Sequence, residues 1–275
     1  MKIALFQTKL IWQKPKENRI LIQEYIDSCE ETYDLLVLPE MFTSGFTMRP
    51  QEVAEKDNGE TIQWLQKIAL NKQIAITGSF VVEENGCYYN RLVFVFPNGN
   101  YEFYNKRHLF TLAGEDKVYT KGITRTIIDY RGWKICPLIC YDLRFPVFSR
   151  NVDNYDLLLY VANWPKPRIQ AWDILLKARA IENMTYTVGV NRIGFDQNDL
   201  EYTGSSQVVD FLGNELLNCE EEQGLFIVEI NKEEMLNTRK KLNFLNDKDH
   251  FEILQFLTLI GILVQHPNWP LHQFF

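Results

Sequence analysis

The sequence predicts an α/β domain of two stacked mixed sheets faced by helices, and three observations carry that expectation. Strand-like and helix-like segments alternate from the start of the chain, an antiparallel meander interrupts them near residue 100, and the alternation resumes after residue 133. At 275 residues the chain is long enough to bury most of its apolar surface in a continuous core.

Lys2–Thr8 reads as the first strand. Pro15 opens a helix to about Glu31, with Ile20, Leu21, Tyr25 and Ile26 at helical spacing. Asp34–Leu38 is apolar at nearly every position and ends at Pro39, as a central strand covered on both faces should. Asn58 is placed to cap a helix to about Leu70, and Gln73–Val82 follows as a strand. The turn signals Glu84-Asn85-Gly86 and Pro97-Asn98-Gly99-Asn100 bound antiparallel strands at Cys87–Phe96 and Tyr101–Lys106. Thr126–Tyr130 and Trp133–Ile139 flank an Arg131-Gly132 turn, Asp156–Ala162 is a further apolar strand, Ile169–Asn183 a helix and Thr185–Asn191 another strand. Ser206–Phe211 and Leu225–Ile230, with a Gly213-Asn214 turn between them, complete the sheets, and Asn231–Lys241 reads as the last helix. No internal repeat, low-complexity segment or linker is evident.

Composition narrows the function classes. A formal charge of -7, with no basic run longer than Arg239-Lys240-Lys241, argues against nucleic acid as a partner. Five cysteines, an odd number in a chain too large to need disulfides, suit a reduced, cytoplasmic setting, as does a chain that opens directly into a strand. The apolar run Phe256 to Val264 is too short to cross a bilayer, so no membrane partner is expected. The terminal segment around it reads as a tail that packs on the body or on a second subunit.

Three residues at strand ends carry chemistry. Cys140 follows the apolar strand Trp133–Ile139 and precedes Tyr141-Asp142-Leu143-Arg144-Phe145-Pro146, so its side chain emerges at a carboxyl-terminal strand edge, where ligands bind in open α/β sheets. A thiol there can be a nucleophile if a cation or base lowers its pKa below the free value of about 8.5, although a lone cysteine on a strand is more often a small hydrophobe. Glu40 sets a carboxylate at the end of an otherwise apolar strand, suited to a general base or to a structural ion pair. Lys106 ends the strand Tyr101–Asn105 and is either an ammonium delivered to a crevice or a solvated loop lysine.

Taken in order, Leu35-Leu36-Val37-Leu38-Pro39-Glu40, Tyr104-Asn105-Lys106-Arg107-His108-Leu109-Phe110 and Ile139-Cys140-Tyr141-Asp142-Leu143-Arg144-Phe145-Pro146 resemble the three signatures of the nitrilase superfamily of carbon-nitrogen hydrolases. The match runs from Lys2 to about Ile253, implying one hydrolase domain over 1–253 and a tail over 254–275 foreign to the pattern. The resemblance implies a four-layer α-β-β-α sandwich with two mixed sheets, pairing with a second copy as a homodimer or higher oligomer, and no metal or organic cofactor. It also implies a triad in which Glu40 is base, Cys140 nucleophile and Lys106 oxyanion stabiliser together with the Tyr141 backbone N–H. A second glutamate beside the lysine is matched by Glu115, with Asp116 as the competing choice. A cysteine-histidine pair through His108 would leave the glutamate and lysine signatures without a role.

The substrate is less directly written. Arg168 follows a strand that should reach the same crevice and could clamp a carboxylate, while Phe42, Phe46 and Trp164 would supply apolar walls. Glu40–Met48, His108-Leu109-Phe110 and Ala162-Asn163-Trp164-Pro165 are similar to the ω-amidase branch. That branch implies hydrolysis of the terminal amide of a short 2-oxo dicarboxylate monoamide, of 2-oxoglutaramate or 2-oxosuccinamate type, through a cysteine thioester. The alternatives are an N-carbamoyl amino-acid amidohydrolase and a non-catalytic acyl-amide-binding protein.

Overall fold

The computed structural model describes residues 1–253. Residues Met1–Leu245 form one compact unit. Its first half contains β1 (Lys2–Gln7), α1 (Pro15–Ser28), β2 (Leu35–Val37), α2 (Glu60–Lys72), β3 (Ala75–Glu84), β4 (Cys87–Val95) and β5 (Tyr101–Asn105). The second half contains β6 (Ile128–Tyr130), β7 (Trp133–Ile139), α3 (Pro146–Ser149), β8 (Leu157–Ala162), α4 (Ile169–Asn183) and β9 (Tyr186–Asn191). A hairpin of β10 (Ile193–Phe195) and β11 (Glu201–Thr203) follows, then β12 (Gln207–Val209), β13 (Glu215–Asn218), β14 (Gly224–Glu229) and α5 (Lys232–Leu242).

The strands form two six-stranded mixed sheets, as expected. One has the order β14-β1-β2-β3-β4-β5 and the other β13-β12-β9-β8-β7-β6. In each, three central strands run parallel, β1-β2-β3 and β7-β8-β9, and every outer neighbour is antiparallel. The topology is thus duplicated, although the residues themselves show no repeat.

Alternation along the strands explains the layers. In β1 and β2, Ile3, Leu5, Leu35 and Val37 join a core shared with Ile135, Leu157 and Leu159 of the second sheet. Ala4, Phe6 and Leu36 point the other way, onto Ile22 and Ile26 of α1 and Leu65 and Ile68 of α2. On the far side, α4 lies so close to β9 that a Cβ at Gly189 would stand 2.5 Å from Leu176 and 2.7 Å from Trp172. The order is helices, sheet, sheet, helix, which is the expected α-β-β-α sandwich.

Several boundaries differ from the sequence reading. Asn58 does not cap α2, because the helix starts one residue later behind Gly59 with no side-chain cap. Asn231 does cap α5, accepting from the N–H groups of Glu233 and Glu234. The β10–β11 hairpin and β13 are additions, each strand being only three or four residues long. Residues Asn246–Ile253, taken alone, contain no α-helix or strand. The tail expected over 254–275, including the apolar run 256–264, lies outside the described residues. Among the described residues no helix is long and apolar enough to cross a membrane.

Candidate active site

The carboxyl ends of β2, β7 and β8 converge on one point, and the loop after β5 reaches the same place. Glu40, Lys106 and Glu115 arrive there with fully buried side chains. Glu40 Oε1 accepts from Lys106 Nζ at 2.8 Å and from Asn90 Nδ2 at 2.8 Å, and Oε2 accepts from the Asn163 backbone N–H at 2.8 Å. Lys106 Nζ also donates to Glu115 at 3.0 and 3.1 Å, and its ammonium lies 5.2 Å from the Phe46 ring centroid. Glu115 is fixed by a 2.6 Å bond from the Phe110 N–H. Of the two acids weighed for the place beside the lysine, Glu115 is the one brought to it, and Asp116 is exposed.

Electrostatics follow from this dry cluster. Burial alone would push the Lys106 ammonium down, but Glu115 and Glu40 outweigh it and hold the group above the ordinary lysine range, so it stays charged. Burial pushes Glu115 up, against the pull of Lys106, and the charge of Glu40 adds to the rise.

Cys140 begins the short 3-10 turn Cys140–Arg144 directly after β7, with φ +44. A left-handed residue with a side chain costs roughly 1–3 kcal/mol and persists only where its surroundings enforce it. Here the enforcing group is Asp142, which is fully buried. Its Oδ2 accepts from the Ile139 N–H at 3.0 Å and the Tyr104 hydroxyl at 2.8 Å, and its Oδ1 accepts from the His108 N–H at 3.0 Å and contacts His108 Nδ1 at 2.7 Å. His108 is thereby committed to Asp142 and stacked on Phe145 at 3.7 Å, which leaves it no place as base to the thiol. The thiol is not lowered by its neighbours, as the strand-edge argument required. Burial and then the Glu40 carboxylate hold it well above the ordinary thiol range, and Lys106 offsets only part of the rise. The Cys140 thiol is therefore held in its neutral form, and a nucleophilic role would require its proton to be taken during attack.

Cys140 opens onto a cavity of about 410 Å³. Tyr141, Phe46, Trp164 and Arg168, the residues singled out for substrate contact, all line it. Phe42 does not, being core beneath the site. The Arg168 guanidinium sits 5.3 Å over the Phe110 ring and that of Arg144 5.0 Å over the Trp164 ring, so the lining holds two cations on aromatic supports. Sequence reasoning missed Arg144, Asn90, Asn163, Trp12 and the β10–β11 hairpin, whose Asp196 and Tyr202 close one wall. Asn163 lay inside a motif already quoted, whereas Asn90 in mid-strand carried no signal.

The pattern of the carbon-nitrogen hydrolase family matches residues 2–240. An ω-amidase, YafV, from Escherichia coli K12 is 40% identical over 256 residues, covering 92% of this chain and 98% of that protein. A 2-oxoglutaramate amidase from Bacillus subtilis is 32% identical over 250 residues, covering 89% and 96%. A solved carbon-nitrogen hydrolase superfamily protein from Xanthomonas campestris, carrying an arsenic adduct in its active site, superposes with a TM-score of 0.90 at 38% identity, over 92% of this chain and 99% of that one. With its sandwich, its buried glutamate-lysine cluster and these relatives, the chain belongs to the carbon-nitrogen hydrolase family, whose members cleave carbon-nitrogen bonds other than peptide bonds.

Proposed function

We propose that this hydrolase is an ω-amidase, releasing ammonia from the terminal amide of a short 2-oxo dicarboxylate monoamide such as 2-oxoglutaramate. The observation that carries the reading is the Glu40–Lys106 pair buried beside the Cys140 thiol, which opens onto a cavity lined by Arg144 and Arg168. Relatives named for ω-amidase and 2-oxoglutaramate amidase activity support the substrate class.

The chemistry follows from the residue types. Glu40 takes the thiol proton as Cys140 Sγ attacks the amide carbonyl, and the oxyanion receives hydrogen bonds from Lys106 Nζ and the Tyr141 backbone N–H. Glu40 then returns the proton to the leaving nitrogen, ammonia departs, and the acyl group remains as a thioester. A water deprotonated by Glu40 attacks the thioester, releasing the acid and restoring the thiol. Glu115 holds Lys106 in place and charged throughout. Arg168 clamps the distal carboxylate by a two-pronged bond, Arg144 adds a second cation, and Phe46 and Trp164 bound the short carbon chain. No metal or organic cofactor enters these steps. The reading also includes pairing with a second copy and a cytoplasmic setting, which light scattering and cell fractionation test.

Ammonia release from 2-oxoglutaramate, glutamine and an N-carbamoyl amino acid, beside a Cys140→Ala control, tests the proposal. Turnover of 2-oxoglutaramate, absent in the control, is the expected result. Preference for the carbamoyl compound would keep the cysteine mechanism and discard the substrate class. An unimpaired control would remove the cysteine mechanism itself.

A further inference from the structure

We propose that Asn90 is a positioning residue of the reaction, whose side-chain amide holds the Glu40 and Glu115 carboxylates apart and keeps Glu40 ready to accept the thiol proton. The inference rests on the reading of Glu40 as base. Asn90 lies in mid β4 with 1% exposure, and its Nδ2 donates to Glu40 Oε1 at 2.8 Å and reaches Glu115 Oε1 at 3.4 Å. Its backbone carbonyl accepts the Lys106 N–H at 3.0 Å, so one residue touches both acids and the start of the lysine. The amide orientation is forced, because the reverse would aim a carbonyl oxygen at two carboxylates.

Oδ1 has no partner among the described residues, so the hydrogen bonds of the side chain are those its nitrogen makes to the two carboxylates. The ionisable groups around Glu40 are Lys106, Glu115, Cys140 and Tyr119. Of these only Lys106 favours a negative Glu40 by charge. Its single ammonium is shared between two carboxylates, so Asn90 supplies the neutral donor that one cation cannot. A carboxylate stripped of such a donor holds its proton more tightly. Asn90 does not line the cavity, so its loss should act on turnover and leave substrate affinity alone.

The test measures kcat, KM and the pH dependence of kcat/KM on 2-oxoglutaramate for the parent, Asn90→Leu and Asn90→Asp. Circular dichroism checks folding. Expected for Asn90→Leu is kcat lower by about 10- to 100-fold, the range spanned by a lost hydrogen bond to a charged group. KM should stay within a few fold, and the acid limb should move to higher pH. The near-isosteric Asn90→Asp should move that limb further, because it adds a charge of like sign. An acid limb unmoved in a folded variant, or failure of both variants to fold, would assign Asn90 to the fold and overturn the proposal. If the parent leaves 2-oxoglutaramate intact, the substrate reading fails by itself. The pH dependence of Cys140 alkylation by iodoacetamide then draws the same contrast without substrate.

Discussion

At the scale of single residues, the site turns on one cation between two acids. Removing Lys106 leaves Glu40 and Glu115 facing each other in a dry interior, and breaking a buried pair in this way costs about 3–5 kcal/mol. Lys106→Gln should therefore lower stability by about that amount and abolish turnover. The loss should shrink as pH falls. Glu115 is already pushed up by burial, and without the ammonium it rises further. A carboxyl raised in the folded state favours folding at low pH and opposes it once the solution pH passes its unfolded value. Thermal melts of the variant and parent should thus differ less at about pH 5 than at about pH 8, and an equal gap at both would contradict the account. The residues involved were unequally legible. Glu40 and Cys140 stand at ends of apolar strands, where a polar group needs a reason, and Lys106 ends a strand of mixed character within a recognisable motif. Asn90 stands inside a strand whose register alone aims it at the site, and register is a property of pairing that one strand's residues do not encode.

At the scale of elements, the loop after β5 must deliver Glu115 to Lys106 and still return to the sheet. It closes where the Gly122 N–H donates to the Lys106 carbonyl at 2.8 Å, with the Gly122 backbone pressed on Asn105. A Cβ at Gly122 would stand 2.0 Å from the Asn105 carbonyl oxygen, a backbone atom that cannot swing aside. Gly122→Ala should displace the end of β5 and Lys106 with it. Overpacking of this kind costs about 1–3 kcal/mol, and a misplacement of about 1 Å can cost about 100-fold in rate. A folded Gly122→Ala variant with unchanged kcat would show that the loop tolerates the shift. The same scale explains what the sequence hid. The long elements, β7 and α4, fall at the expected residues because their apolar patterns are sustained. The β10–β11 hairpin has three residues a side around polar Asp196–Leu200, too few for a period to register, yet it walls the cavity.

At the scale of the molecule, the layer between the second sheet and its helices α3 and α4 is apolar but rich in groups that ionise only in strong base. The Cys136 thiol, on β7 and fully buried, is pushed up to about 12, and burial raises the Tyr155 and Tyr160 hydroxyls in the same direction. Each keeps its proton in the folded state at a pH where the unfolded chain has lost it. The stability they contribute is whole below the unfolded value, 9.0 for a thiol, and is lost as pH climbs toward the folded one. For Cys136 the loss between those limits is up to about 4 kcal/mol. Urea unfolding at near-neutral pH and at about pH 10.5 should therefore show a marked alkaline fall in midpoint, with little change in the slope that reports exposed area. Cys136→Val keeps an apolar side chain at the position and removes one titrating group, so its alkaline fall should be shallower than the parent's. Parallel falls in the two proteins would mean that the thiol ionises in the folded core as easily as in water, which a fully buried position between the second sheet and its helices does not permit.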